Sequence, residues 1–328
     1  MARMLIVRSA GIGDVAMAVH AVRALRAKYP ELGIVIATKK RMPPFFAGIP
    51  DLEFIPVDSI RQIMRDAAER RVDLVADLRN EPRGKVLRVL FALRGVRTAA
   101  YRQDKAARRP LLRRRNKKLR WLRNNVLRFC DVFARLGYPV DEPPRPGRPD
   151  LPLPEVFGRK EGSWVGFAPF SLLDLKSWPL DLRSRFVDAL CGRYGRVFLF
   201  SGPGEELAYA KEMAARHPNL TPVFGMTDLG GEVALMSHLD ALVTMDSAAM
   251  HMTSLAGVPF LTVWGPTHPA VGYSAWGADP ERNYIQCDLP CRPCSVYGEG
   301  RCRLGDRPCL RQVSPEQVLE RLDRLISS

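Results

Sequence analysis

The chain has 328 residues, 46% hydrophobic and 26% charged, a balance that excludes intrinsic disorder and fibrous repeats. Its length suits two domains of about 150 residues better than one core, and no apolar run nears the roughly 20 residues of a membrane-spanning helix. The net charge of +15 favours a polyanionic partner: nucleic acid, an anionic membrane surface or a phosphorylated substrate.

In chain order, M-L-I-V at 4 to 7 is too short for a signal peptide and reads as a first buried strand, so a cytoplasmic protein is expected. From Asp14 onward, Val15, Val19, Val22 and Leu25 recur at helical spacing, which predicts a helix to about Tyr29. Strands follow at 34–38, 54–57 and 73–78, with helices from Ser59 and over 83–94. Buried β-type runs alternating with helices mean βαβ units and a parallel sheet. The Pro-rich stretch at 141–154 cannot continue a helix or a central strand and reads as a linker. Beyond it, strands at 164–169, 196–201, 221–224, 241–245 and 260–264 alternate with helices near 180–194, 205–216, 229–238 and 248–256. An amphipathic helix at 315–325 closes the chain. The expected organisation is α/β, with domains at 1–150 and 151–328 and ligands at the carboxyl ends of the strands.

Three stretches could carry chemistry there. In R-S-A-G-I-G-D-V (8 to 15), Gly11 and Gly13 allow a tight turn, and Asp14 is either a helix-capping residue or a carboxylate held as a general base. The third glycine of a dinucleotide fingerprint is missing. In F-A-P-F-S-L-L-D-L-K-S-W-P (167 to 179), Ser171 and Lys176 could hold phosphate oxygens, or Lys176 could be a solvated loop lysine. In T-M-D-S-A-A-M-H (244 to 251), Asp246 ends a strand, and the backbone N–H groups after Ser247 open a helix and favour an anion. His251, one turn in, is either a packing residue or part of a ligand wall.

Together with K-S-W-P (176 to 179) and W-G-P-T-H-P (264 to 269), these stretches resemble the glycosyltransferase family 9 heptosyltransferases in order and spacing over nearly the whole chain. The resemblance implies a GT-B fold of two Rossmann-like domains facing a central cleft. It also implies an inverting, metal-independent transfer of a sugar, a heptose in this family, from a nucleotide-diphosphate donor to a lipopolysaccharide-core or related acceptor, with no cofactor required. Carried over by position, Asp14 would be the general base and Lys176 and Ser171 would meet the donor diphosphate. Gly13, Asp246, Ser247, Ala248 and His251 would line the donor site, with Ala248 standing where the family has glycine. The chain has no D-x-D motif of the kind that ties a divalent metal to a diphosphate.

From 102 to 128, twelve Lys or Arg stand against Asp104 alone. Such a block is either a solvated face or an electrostatic footprint. In the second case Arg113, Arg114, Lys117 and Arg120 are candidate contacts to a phosphorylated glycolipid acceptor, and the protein would sit peripherally at the anionic inner membrane, where each basic residue near the surface contributes about 1 kcal/mol. Five of the seven cysteines fall in 23 residues, and the C-x-x-C spacing makes Cys291, Cys294, Cys302 and Cys309 candidate ligands of a structural zinc ion. Two other readings remain open: a basic nucleic-acid-binding protein with a zinc-stabilised cysteine cluster, and a two-Rossmann nucleotide-sugar epimerase.

Overall fold

In the computed structural model, which describes residues 2–9, 11–113 and 116–327, the first apolar run is the central strand β1 (Arg3–Val7), buried on both faces. After it come α1 (Ile12–Lys28), β2 (Gly33–Thr38), β3 (Leu52–Pro56), α2 (Ile60–Glu69), β4 (Leu74–Asp77), α3 (Pro82–Ala92) and β5 (Arg97–Ala100). Ser59 starts α2 as expected of a cap, its hydroxyl accepting from Gln62 N–H at 3.0 Å. The five strands are all parallel in the order β3-β2-β1-β4-β5. Leu5, Val35 and Val75 meet in its core, Leu5 lying opposite Val35 and Val75 in register. A short α4 (Lys105–Arg108) precedes α5 (Asn125–Arg135), which packs on α1. β5 and α5 escape detection in the sequence: R-T-A-A is no apolar run, and α5 begins inside the basic block.

The second sheet is also parallel and holds six strands in the order β11-β10-β9-β6-β7-β8. Along the chain these are β6 (Trp164–Ala168), α6 (Leu180–Arg193), β7 (Arg196–Leu199), α7 (Glu205–Arg216), β8 (Leu220–Pro222), α8 (Leu229–His238), β9 (Ala241–Met245), α9 (Ala248–Ala256), β10 (Phe260–Trp264), α10 (Pro280–Asn283), β11 (Tyr284–Gln286), α11 (Pro308–Arg311) and α12 (Pro315–Ile326). Its core joins Phe167, Trp178, Phe186 and Val243 to Val318 and Leu322 of α12, and Ser314 closes a capping box at the start of that helix.

Each sheet reverses its strand order at one point, between β1 and β4 in the first and between β6 and β9 in the second. There the chain leaves neighbouring strands in opposite directions, so a crevice opens at their carboxyl ends. By contacts the chain divides into Met1–Asp104 with Arg123–Arg145, and Lys105–Leu122 with Pro146–Ser328. The central part of the basic block, assigned from the sequence to 1–150, thus packs with the second unit. Leu111 is fully buried there with Ala270 and Val271, and Leu122 N–H donates to Ala270 carbonyl at 2.9 Å.

Gly257 ends α9 in left-handed geometry at φ 58°, and a Cβ on it would lie 2.3 Å from the Gly147 carbonyl. Both constraints require glycine. Gly257→Ala is expected to destabilise the second unit by about 2 kcal/mol or more, read as a lowered thermal midpoint.

Candidate active site

In the second unit, β9 ends and Asp246 follows, 8% exposed, its side chain bonded to the loops after β6 and β10. Asp246 Oδ2 accepts from Thr267 Oγ1 at 2.6 Å and pairs with Lys176 Nζ at 3.3 Å. Ser171 Oγ donates to the Asp246 carbonyl at 3.4 Å, and Ser171 N–H donates to Ser177 Oγ at 3.0 Å. Lys176 sits in a short 3-10 turn, Asp174–Lys176, just before the buried Trp178. Ser247 is the extended N-cap of α9 and spends no side-chain bond on the cap, so the first-turn N–H groups after it stay open to an anion. Ala248 opens that helix in ordinary right-handed geometry, which a Cβ tolerates. His251 lies in the same helix at 7% exposure and offers little surface to a ligand. The crevice therefore gathers Ser171, Lys176, Asp246, Ser247 and Ala248: one ammonium, one carboxylate, hydroxyls and a helix N-terminus, a set able to receive and orient a diphosphate.

The cysteine-rich loop packs on this set. A Cβ at Gly298 (φ 93°) would lie 2.5 Å from Lys176 Cγ, so the loop backbone is laid against the lysine stem. Arg307 donates to the carbonyls of Asp174 at 2.8 Å and Ser177 at 3.3 Å, fixing the lysine turn from outside. Arg292, 7% exposed, is spent on acceptors alone: Gly265 carbonyl at 2.5 Å, Thr267 carbonyl at 3.1 Å, Trp264 carbonyl at 3.3 Å, Gln286 Oε1 at 2.9 Å and the Cys287 carbonyl. His268 Nδ1 accepts from Ala270 N–H at 3.1 Å, and burial, with Arg292 adding to it, pushes its pKa down to about 4. At neutral pH it is an uncharged ring that caps the Pro269–Val271 turn.

Thr267 and Arg292 were not singled out from the sequence. Thr267 lies within W-G-P-T-H-P and Arg292 between two cysteines in C-R-P-C, and no local pattern marks either one. The zinc expectation is not met: among the described residues no three His, Cys, Asp or Glu side chains are placed to hold a metal ion. Burial pushes the thiols of Cys287 and Cys294 up and that of Cys309 to about 12. Cys291, Cys294, Cys302 and Cys309 are all free.

In the first unit, Gly11 is the N-cap of α1, and Gly13 and Asp14 stand in its first turn, where a carboxylate could cap the helix. Asp14 Oδ1 instead pairs with Arg8 Nη2 at 2.5 Å, and about a third of its side chain stays open to solvent. Arg8 is buried, lies 5.1 Å over the Phe129 ring and donates to the Leu78 carbonyl after β4. Asp14 thus stands at the strand-order reversal as a partly exposed carboxylate held in place by a buried arginine.

Of the four acceptor candidates, Arg113 and Arg120 are exposed and Arg114 lies outside the described residues. Lys117 is committed elsewhere: Nζ donates to the carbonyls of Cys291 at 2.5 Å and Pro293 at 2.6 Å, and burial lowers its pKa. It ties the basic segment to the cysteine loop of its own unit.

The family model for glycosyltransferase family 9 (heptosyltransferase) matches residues 60–300. Lipopolysaccharide heptosyltransferase 1 of Pseudomonas aeruginosa is 28% identical over 195 residues, 58% of this chain and 53% of its own, so the match spans about half of that relative. Among solved structures, ADP-heptose LPS heptosyltransferase II of E. coli superposes with a TM-score of 0.72 at 22% identity, covering 99% of this chain and 98% of that one. E. coli heptosyltransferase WaaC with ADP gives 0.66 at 20% identity, covering 98% and 99%. These structural likenesses show the fold, GT-B with two Rossmann-like units.

The depressed histidine makes a testable statement. His268 binds its proton in the unfolded chain near pH 6.5 and in the native protein only near 4, so its contribution is present above about pH 6.5 and lost as pH falls toward 4. His268→Gln is expected to flatten part of the loss of unfolding free energy between pH 7.5 and 4.5, by up to about 3 kcal/mol, in denaturant titrations run beside the parent.

Proposed function

The chain belongs to glycosyltransferase family 9, and from that we propose that it is a heptosyltransferase that moves a heptose from a nucleotide-diphosphate donor to a phosphorylated acceptor of the lipopolysaccharide core, at the cytoplasmic face of the inner membrane. The observation that carries this reading is the set at the β6/β9 reversal, where Lys176, Ser171, Asp246 and the α9 N-terminus converge on one crevice. ADP in WaaC and ADP-heptose in the name of heptosyltransferase II support an ADP-linked donor.

The chemistry assigned to each residue follows from what it can hold. The diphosphate would lie on the first N–H groups of α9, and Lys176, released in part from Asp246, would meet its oxygens. Negative charge grows on the diphosphate as its bond to the anomeric carbon breaks, so an ammonium and helix dipole aimed there favour the transition state over the ground state. Asp14 would accept the proton of the acceptor hydroxyl while that oxygen attacks the anomeric carbon from the opposite side, giving inversion in one step. Arg8 keeps the carboxylate from turning away. Charge neutralisation by Lys176 and the helix supports a transfer that calls on no metal. The nucleic-acid and epimerase alternatives lack comparable support: Lys117 is spent on loop carbonyls, and family membership favours glycosyl transfer.

Asp14→Asn is expected to reduce sugar transfer by about a hundredfold or more while leaving the thermal shift with ADP-heptose intact; a fully active variant would reject the base assignment. Lys176→Ala should instead weaken that thermal shift and lower transfer together, because the ammonium acts on the donor. If neither ADP- nor other nucleotide-linked sugars stabilise the parent protein, the transferase reading itself fails.

A further inference from the structure

α3 departs from the pattern of a surface helix. Its inner face is set by the buried Leu87 and Phe91 and by Arg88, which ion-pairs with the buried Asp77. The outside should then be polar, yet Val86, Val89, Leu90 and Leu93 are 50%, 59%, 36% and 80% exposed. Their i, i+3, i+4, i+7 spacing makes one continuous apolar stripe facing away from the core. Next to it, α2 and α3 flank a shallow, open groove of about 670 Å³ lined by Met64, Ala68 and Leu90 and by the exposed Arg61, Arg65 and Arg94. From Pro82 to Arg94 there are four basic residues and no acid; on α2, Glu69 is exposed, and Asp66 is tied to Gln62 at 2.6 Å and pairs with Arg65 at 3.8 Å.

An apolar stripe rimmed by guanidinium groups fits a surface that is apolar below and anionic above. We propose that the outer face of α3, with the α2 groove beside it, docks on an anionic phospholipid bilayer. The four aliphatic side chains enter the interface, and Arg61 and Arg94 meet lipid phosphates. Among the described residues no helix is long and apolar enough to cross a membrane, so this contact lies on the surface. The inference deepens the proposed function and rests on its lipid-linked acceptor, and it moves the membrane contact from the basic block at 102–128 to a different element.

Flotation of the full-length protein with vesicles tests it, using phosphatidylcholine alone and phosphatidylcholine with phosphatidylglycerol. The parent should bind the mixed vesicles at least about tenfold better than the neutral ones, and more weakly as salt rises. Val89→Ser/Leu90→Ser/Leu93→Ser should lose about tenfold in binding, and so should Arg61→Glu/Arg94→Glu, with the ADP-heptose thermal shift unchanged in both. Leu93→Glu alone, at the most exposed position, gives a second variant that folding cannot obscure. Equal vesicle binding by parent and variants would overturn the proposal, as would a parent dimer that the triple variant turns into a monomer, since a second copy would then cover the stripe. Loss of the donor thermal shift in the parent would count against the transferase reading and leave the vesicle result to stand by itself.

Discussion

A guanidinium removed from water organises the loops at the carboxyl edge of the second sheet. Arg292 is 7% exposed and, among the described residues, makes no ion pair; carbonyl dipoles and one amide oxygen balance its charge. A buried cation without such partners would cost several kcal/mol, so the backbone around it cannot relax away. That backbone belongs to the turn after β10, and it includes Thr267, whose hydroxyl fixes the Asp246 carboxylate that in turn holds Lys176. The position of the Lys176 ammonium is therefore tied, through three contacts, to Arg292.

The first unit uses the same device on a smaller scale. Arg8 is buried against Phe129 and the Leu78 carbonyl, and from there it holds Asp14 at the other strand-order reversal. In both units a buried arginine anchors the carboxyl edge of a parallel sheet, Arg8 by pairing with Asp14 directly and Arg292 by holding the backbone that carries Thr267. The difference lies in what each presents. The first presents a partly open carboxylate, and the second an ammonium beside a helix N-terminus.

How far the residues announced this differs from element to element. Long apolar runs flanked by helical periodicity placed β9, α9 and β10 at their observed bounds, because a strand buried on both faces leaves an unmistakable pattern. β5 and β11 carry no such pattern, being short edge strands that depend on their neighbours for burial. Asp14, Lys176 and Asp246 were legible since each stands at a strand-to-helix junction in a distinctive motif. Thr267 and Arg292 were not, since their value lies in contacts with residues 21 to 28 positions away. The cysteines misled in the opposite sense: spacing brought four thiols to notice, but no three of them converge on a metal position.

By itself, the sequence determined the α/β class, the two parallel sheets, the family and the junctions where chemistry could sit. Those follow from local periodicity and from motifs read along the chain. Only the tertiary structure decided that Lys105–Leu122 packs with the second unit, that Lys117 is spent on loop carbonyls, and that α3 turns an apolar stripe outward. The physical reason is common to all three. A basic or aliphatic side chain has the same composition whether it is buried, bonded or bare, and only its neighbours in space determine which of these it is.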